Sequence, residues 1–211
     1  NGKFKILHDL QPIRIQYIID QLKPKNINNL KILDLGCGGG LICEPLAKLG
    51  GYITGIDFVK QNIEAAKIHA AKNNLKIEYV KKDINKINSK SKYDVIIVFE
   101  VLEHLENWPN FIKKIKLNLK NNGTLLISTI NRNILSKILA IDIAENILKW
   151  IPKNTHDYTK LIKPCELESI LIKENFKIKN FTGLVYDPIG KRWRTSDNNM
   201  KVNYFCCAKL Y

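Results

Sequence analysis

Short apolar runs alternate with amphipathic stretches through the first two thirds of the chain. The runs have the length of strands and lie at Lys31–Leu35, Tyr52–Ile56, Ile77–Val80, Asp94–Phe99 and Thr124–Thr129. The stretches between them have helical character and lie at Leu41–Leu49, Gln61–Asn73 and Asn110–Leu119. The fourth run, DVIIVF, is almost continuously apolar, which is typical of a strand buried on both faces. Alternating strands and helices therefore predict an α/β fold with a doubly wound, mostly parallel sheet.

The last quarter of the chain has a different pattern. Lys177–Gly183 and Val202–Lys209 have strand composition, and a polar loop joins them. We expect these two segments to form an antiparallel hairpin at one sheet edge, which brings the predicted sheet to seven strands. At the front of the chain, Phe4–Leu22 predicts an amphipathic helix that is entered through Pro12.

The sequence indicates a single domain, because no boundary is visible between these segments. Neither an internal repeat nor a linker-like segment divides the sequence, so a single domain over residues 1–211 is expected, with residues 1–30 as an N-terminal helical cap. Residues 132–165 are expected to form an inserted helical segment, either an ordinary lid on the core or a membrane-contacting surface. His156 in this insertion is a candidate general base, because imidazole titrates near neutral pH. A lone loop histidine is also often incidental.

The composition limits the partners and the compartment. The net charge is +14, but only four of the 34 basic residues are arginines, the side chain that base readout in nucleic acids favours. A solvated basic surface is the first interpretation, attraction to anionic phospholipid the second, and nucleic acid the last. The five cysteines are an odd number without C-x-x-C spacing, which disfavours a disulfide framework and favours a reducing compartment.

A glycine-rich loop follows the first predicted strand and precedes a helix. Gly36, Gly38, Gly39 and Gly40 give G-x-G-x-G rather than the G-x-G-x-x-G of dinucleotide enzymes. Asp57 ends the next strand, where a carboxylate can accept hydrogen bonds from both hydroxyls of a ribose. Asp34 places a negative charge beside the loop, which disfavours a pyrophosphate and suits a cationic nucleoside such as S-adenosylmethionine. Asp83, after the third strand, is placed to meet the adenine amino group.

A second cluster of polar residues ends the fourth strand. Phe99 is followed by Glu100, Glu103 and His104, at the sheet edge where α/β proteins bind ligands. If the chain turns helical after Glu100, the side chains of Glu103 and His104 come to the same face. Two carboxylates and an imidazole can hold a divalent cation, but an acidic turn at this place can also serve only to pack or to position the cofactor.

These segments together resemble the ubiquinone biosynthesis O-methyltransferase family, within the class I S-adenosylmethionine-dependent methyltransferases. The similarity extends from Phe4 to Tyr204. The motifs that carry it are Phe4-Lys5 with Leu7-His8, Pro12-x-Arg14, Leu33-Asp34-x-Gly36-Cys-Gly-Gly-Gly40, Glu100-x-x-Glu103-His104, Asn131-Arg132-Asn133, Pro152-Lys153, Thr155-His156-Asp157, Lys163-Pro164, Thr182-Gly183-Leu184 and Val202-Asn203-Tyr204. The glycine loop alone indicates a methyltransferase, and the Asn-Arg-Asn and Thr-His-Asp segments select the branch.

The resemblance implies methyl transfer from S-adenosylmethionine to phenolic oxygens of polyprenylated rings, at two steps of the quinone pathway. The family's cofactor contacts fall on Arg14, Gly36, Asp57 and Phe99. At the position of Phe99, a relative has methionine. Its magnesium site falls on Glu100, Glu103 and His104. The stretch after Arg132 corresponds to its membrane-contacting insertion. Peripheral location at the bacterial inner membrane is expected, or at the matrix face in mitochondria, with other enzymes of the pathway as partners.

Two rival functions belong to other classes. An RNA methyltransferase would use the basic surface, but it needs an arginine-rich patch or a separate RNA-binding module, and the sequence has neither. A non-catalytic lipid-binding protein on the same fold is the other alternative, and the intact glycine loop with Asp57 argues against it. We therefore expect no nucleic-acid partner.

Overall fold

The computed structural model describes residues 5–23, 26–87, 91–136, 157–187, 190 and 192–211. The strands are β1 (Lys31–Leu35), β2 (Tyr52–Asp57), β3 (Glu78–Lys81), β4 (Tyr93–Phe99), β5 (Leu119–Ile130), β6 (Phe176–Asp187), β7 (Arg192–Ser196) and β8 (Asn203–Leu210). The helices are α1 (Lys5–Leu22), α2 (Cys43–Lys48), α3 (Lys60–Lys72), α4 (Trp108–Ile115), α5 (Ile134–Ser136) and α6 (Pro164–Lys173). Three-residue 3₁₀ turns occur at Ile84–Lys86, Leu102–His104, Lys116–Asn118 and Tyr158–Lys160.

In the described part of the chain, the strands form one sheet in the order β3-β2-β1-β4-β5-β8-β6-β7. The first five strands run parallel, whereas β8 pairs antiparallel with both β5 and β6. The predicted α/β fold with a mostly parallel sheet is thus present. The strand order reverses between β1 and β4, and the crevice at such a reversal is where open α/β sheets bind ligands.

The far edge of the sheet differs from the prediction. The seven predicted strands are present, but an eighth, β7, forms within the predicted polar loop and pairs with β6. Consequently the two segments expected as an edge hairpin lie inside the sheet, and β7 is the edge. Its sequence, RWRTS, has a single large apolar residue, Trp193, because an edge strand is largely exposed to solvent.

The core lies on both faces of the sheet. Alternate residues of β4 point to opposite sides, with Val95 and Ile97 in one buried cluster and Ile96 and Val98 in the other. The first cluster includes apolar residues of α1, α2 and α3, and the second includes those of α4 and α6. This two-sided burial explains why the fourth apolar run is continuous.

Helix α1 lies against the sheet and reaches its ligand-binding edge. The ring of Tyr17 stacks on Phe205 of β8 with centroids 4.3 Å apart, and the amide of Gln11 donates to the carbonyl of Leu41 at 2.6 Å. The helix begins at Lys5, so Pro12 lies inside it rather than at its entry as predicted. None of the described helices is long and apolar enough to cross a membrane.

Candidate active site

The glycine loop is held by the strand next to it. The amides of Gly36 and Cys37 donate to the carbonyl of Ile56 at 2.8 and 3.0 Å. The carboxylate of Asp57 accepts from the amide of Gly38 at 2.9 Å through Oδ2, and from the amide of Val59 at 2.8 Å through Oδ1. Asp57 is buried, with 6% of its surface exposed. The structure therefore places the predicted ribose-binding carboxylate directly against the predicted cofactor loop.

The outer surface of the loop is open. A Cβ added to Gly38 or Gly39 would have no atom within 4 Å. Gly38 has a φ of +52°, which favours glycine, but Gly39 does not have a positive φ, so the packing of the protein does not require glycine there. The backbone of Gly39 is therefore open to a ligand. Gly36 differs, because a Cβ on it would lie 2.5 Å from Val101 Cγ2.

Asp34 lies beneath the loop rather than facing a ligand. It is buried, and the thiol of Cys43 donates to its Oδ2 at 3.2 Å. Burial raises the pKa of this carboxyl to about 6, although Cys43 and Arg14 act in the opposite direction. The carboxyl expected beside the loop thus lies buried directly beneath it.

Arg14 of α1 reaches the end of β4. Its Nη2 lies 3.4 Å from Oε1 of Glu100, which also accepts from the hydroxyl of Ser128 at 2.6 Å. The Nε of Arg14 is buried and has no hydrogen-bond partner among the residues that the structure describes. Phe99, just before Glu100, is buried with its ring centroid 5.5 Å from that of Phe205. An unpaired, buried guanidinium donor next to the glycine loop fits an anionic group of the ligand.

Glu103 and His104 diverge. Leu102–His104 is a 3₁₀ turn entered through Glu100 at a φ of +53°, which leaves Glu103 buried and His104 exposed. Glu103 accepts from the hydroxyl of Thr129 at 2.9 Å, while no described residue forms a hydrogen bond with its Oε1. Burial, followed by the charge of Glu100, raises its pKa to about 8. The structure brings the two glutamates together but not His104, contrary to the shared helical face expected from sequence.

The three predicted magnesium ligands therefore do not fit a metal centre in this arrangement. Throughout the described ranges, no group of three or more His, Cys, Asp or Glu side chains could hold a metal ion. The predicted catalytic His156 lies outside the described residues. Asp83 is exposed after β3, and its Oδ1 accepts from the amide of Asn85 at 2.9 Å.

Phe58 is a further candidate site residue that the sequence analysis missed. It follows Asp57 directly and 71% of its surface is exposed. An aromatic side chain this open beside the ribose-binding carboxylate offers a flat apolar face for a base. Sequence alone gave no signal, because an apolar residue after a strand is equally compatible with burial.

The comparisons with known proteins agree with this geometry. A methyltransferase domain family matches residues 26–191. The ubiquinone biosynthesis O-methyltransferase of Rickettsia felis is 46% identical over 209 residues, which cover 98% of this chain and 85% of the relative. The chain belongs to this O-methyltransferase family. The family's protein from Pelagibacter ubique is 43% identical, with 97% of this chain and 88% of the relative covered.

Solved structures share the fold of this O-methyltransferase. Magnesium protoporphyrin IX methyltransferase from Synechocystis, with bound S-adenosylhomocysteine, matches 99% of this chain and 86% of its own, with a TM-score of 0.72 at 18% identity. An S-adenosylmethionine-dependent methyltransferase from Clostridium acetobutylicum matches 99% of this chain over 98% of its own length, with a TM-score of 0.75 at 14% identity. The predicted family and the class I methyltransferase fold are both confirmed.

Proposed function

We propose that this chain methylates a phenolic hydroxyl of a polyprenylated catechol or hydroquinone, at both O-methylation steps of ubiquinone biosynthesis. Its family and fold make it an S-adenosylmethionine-dependent O-methyltransferase of this pathway. The observation that carries the proposal is the contact of Asp57 with Gly38 beneath an open Gly39. The prenylated acceptor and the two steps rest on the family resemblance.

The cofactor is proposed to lie across the carboxyl ends of β1 and β2. Oδ2 of Asp57 accepts one backbone amide and retains a lone pair for a ribose hydroxyl. Oδ1 accepts from the amide of Val59 at 2.8 Å and more weakly from Nδ2 of Asn62 at 3.4 Å, a contact that a second ribose hydroxyl would replace. Phe58 would contact one face of the adenine, and Asp83 is proposed to accept from its amino group. The unpaired Nε of Arg14 would donate to the methionine carboxylate.

The acceptor is proposed to lie beside Phe99 and the two glutamates, at the carboxyl ends of β4 and β5. The sulfonium methyl is already activated, so the protein has to align the two reactants and help ionise a phenol, whose pKa is about 10 in water. His156 remains the proposed general base. Arg14 also neutralises Glu100, which lowers the repulsion between a carboxylate and an approaching phenolate.

We propose that the protein works at the surface of the bacterial inner membrane, where a polyprenyl tail resides. The net charge of +14 favours anionic lipid. Ile134 and Leu135, at the start of the predicted insertion, are 75% and 39% exposed, and apolar side chains of this kind can enter the interfacial layer. Other enzymes of the pathway are proposed as partners on the same surface.

One assay tests the reaction. The purified protein is incubated with S-adenosylmethionine that carries a labelled methyl group and with a short-chain polyprenyl catechol. We expect label in the lipid fraction, none when both catechol hydroxyls are already methylated, and none in bulk RNA offered as a competing acceptor. Label that appears in RNA and not in the lipid would contradict the proposed function.

A further inference from the structure

The Asn131-Arg132-Asn133 motif connects segments that are distant in sequence. Its two amide side chains donate to backbone carbonyls of the stretch before β8, Asn131 to Met200 at 2.8 Å and Asn133 to Lys201 at 2.6 Å. The backbone N–H of Asn131 also donates to the backbone carbonyl of Val202 at 2.7 Å. These bonds fix the backbone on both sides of Arg132 to the end of the sheet.

Arg132 itself joins the two flanks of residues 137–156. Its Nη1 donates to the carbonyl of Thr159 at 3.2 Å, and its Nη2 forms an ion pair with Oε1 of Glu166. The other oxygen of Glu166 accepts from the amide of Lys163 at 3.1 Å. Arg132 precedes this segment and its partners follow it, so one guanidinium bridges the two flanks.

This junction adjoins the acceptor side of the site. Ser128 and Thr129, shortly before Arg132 in the chain, donate to the side chains of Glu100 and Glu103. The amide of Ile162, between the two partners of Arg132, donates to the carbonyl of Ile130 at 3.1 Å. A shift of residues 157–166 is therefore transmitted to the end of β5, which carries the contacts of both glutamates.

We propose that Arg132 and Glu166 are positioning residues for the methyl acceptor: their ion pair holds residues 157–166 in register with the end of β5. This inference rests on the proposed function for the identity of the acceptor. The pair is partly exposed, with side chains 29% and 37% accessible, so it contributes little to stability. Its geometric effect is larger, because a misplacement of about 1 Å can cost about 100-fold in rate.

The competing explanation is that Arg132 directly contacts the acceptor or a lipid phosphate. Substitution of Glu166 distinguishes this explanation from the positioning role. If Arg132 acts through Glu166, then Arg132→Gln and Glu166→Gln have the same effect, and the double variant is no worse than either single variant. If Arg132 contacts the acceptor itself, Glu166→Gln releases the guanidinium and leaves acceptor use intact or improves it.

The chain offers a matched control in another partly buried ion pair. Lys116 lies 2.6 Å from Glu174, just before the start of β5 and so at the opposite end of that strand. Lys116→Gln breaks a comparable pair without touching residues 157–166. We expect kcat/KM for the acceptor to fall about tenfold in Arg132→Gln and Glu166→Gln, and S-adenosylhomocysteine affinity to change less than twofold. In Lys116→Gln, kcat/KM stays at the wild-type value.

Equal losses of kcat/KM in all three variants, or a loss confined to Arg132→Gln, would overturn the proposal. Hydrogen exchange of residues 157–166 without acceptor tests it independently of the substrate. Exchange that is faster in Arg132→Gln and Glu166→Gln than in the wild type and Lys116→Gln supports the positioning role, and unchanged exchange contradicts it. If hydrogen exchange shows this difference between the variants but the wild-type protein does not methylate the polyprenyl catechol, only the proposed function is contradicted.

Discussion

The carboxylate of Asp57 accepts a hydrogen bond from the backbone amide of Gly38 at 2.9 Å. The acid that ends β2 therefore holds in place the loop that follows β1, in addition to any contact with a ribose. This double role makes the residue sensitive to both charge and shape.

We expect Asp57→Ala to abolish binding of S-adenosylhomocysteine in calorimetry, because both the ribose acceptors and the support of the loop are lost. The affinity of Asp57→Asn should lie between those of Asp57→Ala and the wild type. One of the two oxygens that accept backbone amides is replaced by a donor that faces a backbone N–H. Unchanged affinity in Asp57→Ala would remove Asp57 from the cofactor site.

Gly39→Ala separates folding from ligand binding. The added Cβ meets no atom within 4 Å, so we expect stability to stay the same or to rise by about 0.4–1 kcal/mol, as alanine restricts the unfolded chain. Cofactor affinity should fall at least ~10-fold, about 1.4 kcal/mol, if the ligand lies against this backbone. Gly36→Ala is the contrasting variant, because its Cβ would collide with Val101 and lower the melting temperature. Normal affinity in Gly39→Ala would contradict the open-cradle interpretation.

Tyr79 supports the loop from below. A Cβ on Gly40 would lie 2.2 Å from its hydroxyl and one on Gly55 would lie 2.8 Å from its ring, yet in the described part of the chain the hydroxyl has no hydrogen-bond partner of good geometry. We expect Tyr79→Phe to keep cofactor affinity and to keep or raise the free energy of unfolding, because it removes an unsatisfied buried group. Gly55→Ala should weaken both properties. A Tyr79→Phe variant with impaired binding would show that the hydroxyl has a role in the complex.

The raised pKa of Asp34 predicts how stability depends on pH. A carboxyl with a folded pKa of about 6 and an unfolded pKa of about 3.9 stabilises the fold fully below pH ~4, and this contribution is lost as the pH rises through 6. Between pH 4 and pH 7, the free energy of unfolding of Asp34→Asn should rise by about 3 kcal/mol relative to that of the wild type, as measured by urea unfolding. The control is Asp20→Asn: hydrogen bonds from Lys23 and Gln16 lower the pKa of exposed Asp20, so its trend should be small and opposite. A difference for Asp34→Asn that does not vary with pH would contradict this assignment.

Ile134 and Leu135 give a test of membrane contact. Replacing both with aspartate should weaken flotation with anionic vesicles, since two exposed apolar side chains are lost and negative charge is added next to the lipid. Replacing the exposed Ile68 of α3 with aspartate is the control for a general change of surface. If both variants bind vesicles like the wild type, the contact lies elsewhere.

The sequence predicted the parallel half of the sheet well because its central strands β1, β4 and β5 carry nearly continuous buried apolar runs. Asp57 and the glycine loop were found because an acid ends β2 and four glycines lie together after β1. The divergence of Glu103 and His104 was not predictable, because it depends on the left-handed backbone of Glu100, a conformation that glutamate rarely adopts. Strand β7 was missed since Arg192–Ser196 pairs through its backbone and leaves polar side chains in solvent. The Arg132–Glu166 pair joins residues far apart in sequence, which no local pattern encodes.

Strand β8 comes last in the chain but lies in the interior of the sheet, between β5 and β6. During synthesis on the ribosome, the edges of β5 and β6 that pair with β8 stay without a partner until Asn203–Leu210 has emerged from the exit tunnel. Nascent or prematurely terminated chains thus expose two apolar strand edges at once, which makes them natural clients for chaperones and proteases.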